Sequence, residues 1–168
     1  MAQSLSTLSR SGRSFNSSLR NNRDAFEGDT VPENLQSILR EHLQNTIESL
    51  KNVQREAENS NGNPVGLTDN VIDDILDDLI SQCEDLMVTD NNRAVLYETW
   101  KNLFRDQKRR RKPIWVNIYD QREIAALDNA RRELEQAVAQ INRVNKAVNV
   151  GVQILNVAAN AALRFLLL

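Results

Sequence analysis

Residues 127–155 read LDNARRELEQAVAQINRVNKAVNVGVQIL, and the fold turns on whether they form one helix or two. Leu127, Leu134, Ile141, Val148, Leu155 and, beyond the quoted stretch, Ala162 recur every seven residues. Ile124, Val138, Val152, Ala159 and Leu166 fill the alternate seam together with Arg131 and Asn145. A sustained heptad places an apolar stripe along one side of a helix and favours packing along a left-handed seam. Ala130, Ala137, Val144, Gly151, Ala158 and Phe165 widen that stripe with mostly small residues, which suits a bundle helix with two close neighbours better than a two-stranded zipper. The pattern follows Asp120 and Glu123, a capping-box pair, and predicts one helix over residues 121–168.

Length constrains that reading. An unbroken helix over 121–168 extends about 70 Å, against about 30 to 40 Å for the other predicted helices. Either the shorter helices stack end to end along it, or one end overhangs and engages another molecule, or the helix breaks, with Gly151 as the residue that permits a break. The overhanging end is chemically distinctive, because residues 147–163, AVNVGVQILNVAANAAL, carry no charge and the chain finishes RFLLL. Asn149, Gln153, Asn156 and Asn160 are spaced by four, three and four and so form one narrow amide stripe on an otherwise apolar helix. The residues expected to carry an interaction are therefore Leu134, Ile141, Asn145, Val148, Asn149, Val152, Leu155, Asn156, Leu163 and Phe165.

Three further helices are legible upstream. Thr30-Val31-Pro32-Glu33 is a capping box with proline in the first turn, and Leu35, Ile38, Leu39, Leu43, Ile47, Leu50 and Val53 repeat at helical spacing up to about Glu58. NSNGNPVG (59–66) reads as a loop, and a second helix starts at Thr68 or Asp69. A third spans roughly residues 91–110, with Val95, Leu96, Trp100, Leu103 and Phe104 expected inward. Pro113 stops it, and IWVNIY lies in an extended connector over 113–119. Residues 1–23 hold seven serines, four arginines and no acid. Leu5, Leu8, Phe15 and Leu19 form only a sparse stripe there, so residues 1–29 read as a flexible arm, similar to an organelle-targeting presequence if it is helical. The expectation is an all-α chain, an antiparallel bundle of three to four helices in one domain over 30–168.

Charge is segregated beneath a net value of −2. Eight acids and no Lys or Arg lie between Gly62 and Asn92, while Arg105 to Lys112 hold six basic residues against one acid. Asp73, Asp74, Asp77 and Asp78 make like-charge pairs four apart, each costing a few tenths of a kcal/mol, and the natural compensation is the run Lys108, Arg109, Arg110, Arg111 and Lys112. The spacing Asp73-Asp74-x-x-Asp77-Asp78 resembles the aspartate-rich motif of isoprenoid synthases, a resemblance that implies magnesium and a diphosphate substrate. Those enzymes carry a second metal motif, whose nearest match here, Asp90 to Glu98, departs from it at Asn91 and Ala94. A single cysteine, Cys83, and a single histidine, His42, provide neither a disulfide nor a metal constellation. No phosphate loop or nucleophile-base set is present in the sequence, and without bulk basicity nucleic acid is not an expected partner.

The expectation is thus a cytoplasmic, non-enzymatic interaction or assembly module. It requires no cofactor and no metal, and it associates with itself or with a protein partner through its C-terminal helix. The alternative is a membrane-active helical protein that uses residues 147–168 against an anionic membrane.

Overall fold

The computed structural model describes residues 2–59, 65–66, 68–110, 115–116 and 121–166, which are helical almost throughout. Among these residues, six helices pack together: α1 (Ala2–Asn21), α2 (Glu33–Asn59), α3 (Asp69–Thr89), α4 (Ala94–Arg110), α5 (Gln121–Ala137) and α6 (Val144–Leu166). The all-α expectation holds, but the count of three to four helices falls short at both ends of the chain.

At the N-terminus, the expected flexible arm is α1, which packs against α2, α3 and α6. Leu5, Leu8, Phe15 and Leu19 are all in the core. The gaps in that sparse stripe are filled by Ser4, Ser9, Gly12 and Asn16, which are buried beside them. Covering four large apolar side chains at about 1.5–3 kcal/mol each contributes roughly 6–12 kcal/mol, as much as a whole domain's net stability. α1 is therefore an integral layer.

At the C-terminus, the long helix is broken. α5 ends at Ala137, a 3-10 turn covers Val138–Gln140, and α6 starts at Val144. In a continuous helix the Val144 N–H would bond to the Gln140 carbonyl. Here it donates to the Asp29 carbonyl at 3.1 Å, Val31 N–H donates to the Asn142 carbonyl at 2.9 Å, and Thr30 pairs with Arg143 as an antiparallel bridge. The connector between α1 and α2 thus supplies the backbone partners that a bend needs. Ile141 stays fully buried within the bend, so the seven-residue period runs on across it. Folding back resolves the length mismatch: α5, about 25 Å long, lies on α2, and α6, about 35 Å long, lies on α1 and α3.

The other elements follow local rules. Thr68 caps α3, its hydroxyl oxygen accepting the Val71 N–H at 3.4 Å. Val65–Gly66 (β1) pairs antiparallel with Trp115–Val116 (β2), so the extended stretch finds its edge inside the chain; the rest of 113–119 lies outside the described residues. α4 packs chiefly on α3, which covers one side of it. Tyr97 and Phe104 are buried there, while Val95, Leu96 and Leu103, expected inward, face outward, Val95 at 82% exposure.

Gly151 lies within α6 and is not a break point; it allows close approach. A Cβ at Gly151 would lie 3.0 Å from Leu19 Cδ1 and closer still to Asn16 Oδ1, and one at Gly12 would lie 2.7 Å from Ile154 Cγ2 and 2.8 Å from Gln82 Nε2. Alanine normally stabilises a helix interior by about 0.5–1 kcal/mol relative to glycine. Gly151→Ala is expected instead to lower unfolding stability by about 1–3 kcal/mol, as overpacking does, read from the urea midpoint at unchanged slope. A variant as stable as the parent would show that the junction yields without cost.

Candidate interaction surface

The four aspartates divide between two neighbours. Asp78 is buried and turns toward α1, where it accepts the Ser9 hydroxyl at 2.9 Å and Arg13 Nη1 at 3.1 Å. Gln82, one turn on, accepts Asn16 Nδ2 at 2.9 Å and donates to the Ser9 carbonyl at 3.2 Å. Asn16 Nδ2 also reaches the Gly151 carbonyl of α6 at 3.3 Å. Asp85 then pairs with Arg20 at 3.2 Å. Ser9, Arg13, Asn16 and Arg20 on α1 thus meet Asp78, Gln82 and Asp85 on α3 in a polar seam whose carboxylates, amides and hydroxyl are buried while the two guanidinium groups reach solvent. Burial pushes the Asp85 carboxyl above the usual carboxylate range, with the Arg20 guanidinium pulling the other way.

Toward α4, and among the described residues, the expected charge pairing forms at a single site within the predicted set, Asp77 with Lys108 at 2.6 Å. Asp73 is half-buried and Asp74 exposed; Arg110 turns back to Asp106 on its own helix at 3.1 Å, Arg109 is exposed, and Arg111 and Lys112 lie outside the described residues. Glu84, absent from the expected pairing, takes both Lys101 (3.6 Å) and Arg105 (3.7 Å). Its position seven residues after Asp77 is the signal that would have found it. These exposed pairs hold about 0.2–1 kcal/mol each, so they align α4 more than they stabilise it.

Of the residues expected to carry an interaction, Leu134, Ile141, Val152 and Leu155 are spent on the chain's own core. Val148 is half-buried against the connector that holds Arg23, Asp24, Phe26 and Glu27. Leu163 and Phe165 belong to α6, but their side chains lie outside the described ones. The amides behave differently. Asn145, Asn149 and Asn160 are exposed, Gln153 and Asn156 half-buried. Gln153, Asn156 and Asn160 form one wall of a groove of about 420 Å³ between α5 and α6, whose floor is Ala126, Leu127, Ala130, Val157 and Ala161 and whose α5 rim carries Glu123 and Glu133. Elsewhere on α5, Asp128 pairs with Arg131 and Arg132, and Glu135 with Arg131.

Nothing in this groove resembles a reaction centre: its polar groups are amides and carboxylates without a nucleophile beside a base. Cys83 is fully buried, which pushes its thiol up to about 12 and keeps it unreactive near neutral pH. Among the described residues, no three His, Cys, Asp or Glu side chains converge as metal ligands would, and no helix is long and apolar enough to cross a membrane.

The raised Asp85 pKa has a signed consequence. Between its unfolded and folded pKa values the native state binds more protons, so the Asp85 contribution is fully present below the unfolded value and declines as pH rises through the folded one. In urea titrations across the acid range, the stability advantage of the parent over Asp85→Asn should be largest at the acid end and shrink with rising pH; a constant difference would contradict the burial effect. No protein-family model, curated protein or solved structure matches this chain.

Proposed function

We propose that the chain is a non-enzymatic helical interaction module that receives a helix, from a partner protein or from a second copy, along α6 and the α5–α6 groove. The observation that carries this reading is the amide stripe. Asn149, Gln153, Asn156 and Asn160 lie on one side of α6, and none of their side-chain amides has a hydrogen-bond partner among the described residues. Amides both donate and accept, so a row of them offers direction and register to an incoming helix without charge. Ala126, Ala130 and Ala161 in the groove carry short side chains, which let a second backbone come close there.

The membrane alternative is the weaker one on this geometry. Ala147, Val150, Ile154, Leu155, Ala158 and Ala161 are already covered by neighbouring helices. Presenting them to lipid would require dismantling the packing of α6 on α1 and α3.

The reading is tested with the full-length chain, tagged and purified natively beside the variant Asn156→Arg/Asn160→Arg, with chemical cross-links mapped by mass spectrometry. The parent should retain a stoichiometric protein, cross-linked along α6, which the variant loses without a change in melting temperature. A parent that purifies as a bare monomer, indistinguishable from the variant, would refute the proposal.

A further inference from the structure

We infer that the bend between α5 and α6 is a hinge through which two copies of this chain exchange α6. Residues 138–143 straighten into helix, and each α6 packs on α1 and α3 of the other copy. This goes beyond the groove reading and does not rest on it.

Local sequence and fold disagree at this bend. A helix commonly ends on glycine in the left-handed region and starts on Ser, Thr, Asp or Asn. Between Pro113 and Gly151 there is no glycine or proline, and Arg143 stands where α6 would take its cap. Ala137 and Ile141, on either side of the 3-10 turn, keep right-handed helical angles (φ −67°, ψ −21° and φ −73°, ψ −7°), and the turn carries no side-chain cap. The seven-residue period continues through Leu134, Ile141 and Val148. What holds the bend is distant in sequence: the Asp29 carbonyl and the Val31 N–H, at 3.1 Å and 2.9 Å from their partners. Straightening returns the Val144 N–H to the Gln140 carbonyl, so helical bonds replace those of the bridge. Where local preference opposes the overall fold, two arrangements of the same chain lie close in energy.

The partner follows from what straightening uncovers. α6 leaves α1 and α3 of its own chain and exposes Ala147, Val150, Ile154, Leu155 and Ala158. Gly151 fits against Asn16 and Leu19 with no room for a Cβ, and Ile154 packs as closely against Gly12. The surface with that shape is the vacated site on a second copy, where the Asn16 amide again meets the Gly151 carbonyl. Among the described residues α6 joins the rest of the chain only through the bend, so the exchange needs one hinge. It recreates the contacts of α6 between copies and leaves the hinge and the cost of association to set the balance. A closed chain holds its own α6 at an effective concentration on the order of millimolar, so exchange requires concentrated chains that fold together.

Spin-label distances within one chain read the hinge directly. Ala126 on α5 and Asn160 on α6 are exposed and line the same groove, and Cys83 is buried and escapes labelling. In the bent chain, labels at these two positions lie within about 20 Å, or two helix diameters; in a straight helix they lie about 50 Å apart. The full chain carrying Ala126→Cys and Asn160→Cys is labelled and mixed with excess unlabelled parent, so that few dimers hold two labelled chains. The mixture is refolded from urea over a range of concentrations and separated into monomer and dimer by gel filtration. The monomer should give the short distance and the dimer the long one. A dimer that gives the short distance, or no dimer up to the solubility limit, would overturn the exchange. Asn142 is exposed, and Asn142→Ala keeps the carbonyl that Val31 uses while favouring helix. Over two hinges it should raise the dimer association constant roughly five- to tenfold. An unchanged or lower constant would refute the hinge. The groove reading is tested separately by the Asn156→Arg/Asn160→Arg comparison, so either can fail alone.

Discussion

One side-chain amide ties three helices together. Asn16, fully buried on α1, donates to Gln82 on α3 and to the Gly151 carbonyl on α6, at the point where Gly12 and Gly151 let the three backbones close. A polar group taken out of water without partners costs about 1–3 kcal/mol, so the separation of the three helices is the one that satisfies Asn16 Nδ2, while Asn16 Oδ1 is buried without a partner among the described residues. Register depends on it too. Arg13 and Arg20 are seven apart, as are Asp78 and Asp85, so a slip of one heptad would still leave one ion pair in place. Such a slip would bring Asn16 against Ile75 in place of Gln82. The amide pair, rather than the salt bridges, distinguishes the native alignment, in the way that a single buried polar layer sets register in coiled coils.

The acid-rich character of α3 follows from its place between two cationic helices. Asp78 and Asp85 face α1, which carries Arg13 and Arg20 and no acid, while Asp77 and Glu84 face α4 with Lys101, Arg105 and Lys108. Both sets repeat every seven residues, one position apart. What reads in sequence as a dense acidic run is two ladders aimed at different neighbours. The inner ladder buries its carboxylates while its arginines stay about half-exposed; the outer one leaves Asp77 and Glu84 open to solvent and is, at physiological salt, largely screened.

Much of this was legible from the amino acids. The starts of α2 and α3, the amide stripe and the Asp77–Lys108 pair between α3 and α4 follow from spacing and capping chemistry alone, whereas the turn of Asp78 toward α1 and the part played by Glu84 do not. Two larger features were not legible either. α1 was obscured because hydrophobic periodicity counts Leu5, Leu8, Phe15 and Leu19 but treats Ser4, Ser9, Gly12 and Asn16 as surface, whereas all eight face inward. The bend at Val138–Arg143 was obscured because Ile141 keeps the apolar period intact while the backbone leaves the helix. Its cause lies more than a hundred residues earlier, in Asp29 and Val31, and no local window contains it. The outward apolar residues of α4 reflect the same limit: a helix covered from one side cannot bury every apolar position it carries.

The contact between Asn16 and Gly151 joins residues 135 apart in the chain. During synthesis, α1 emerges well before α6, the helix that closes over it. Until α6 arrives, Leu19 and the buried amides of α1 lack one of their walls, and the bend at Arg143 can form only after the Asp29 to Val31 connector is already in position. Closing this loop carries an entropic cost that contacts between sequence neighbours do not, and non-local contacts of this kind slow folding relative to helical bundles held by local contacts. Between the emergence of α1 and that of α6 the nascent chain carries an incomplete core, the state in which chaperone binding and aggregation compete.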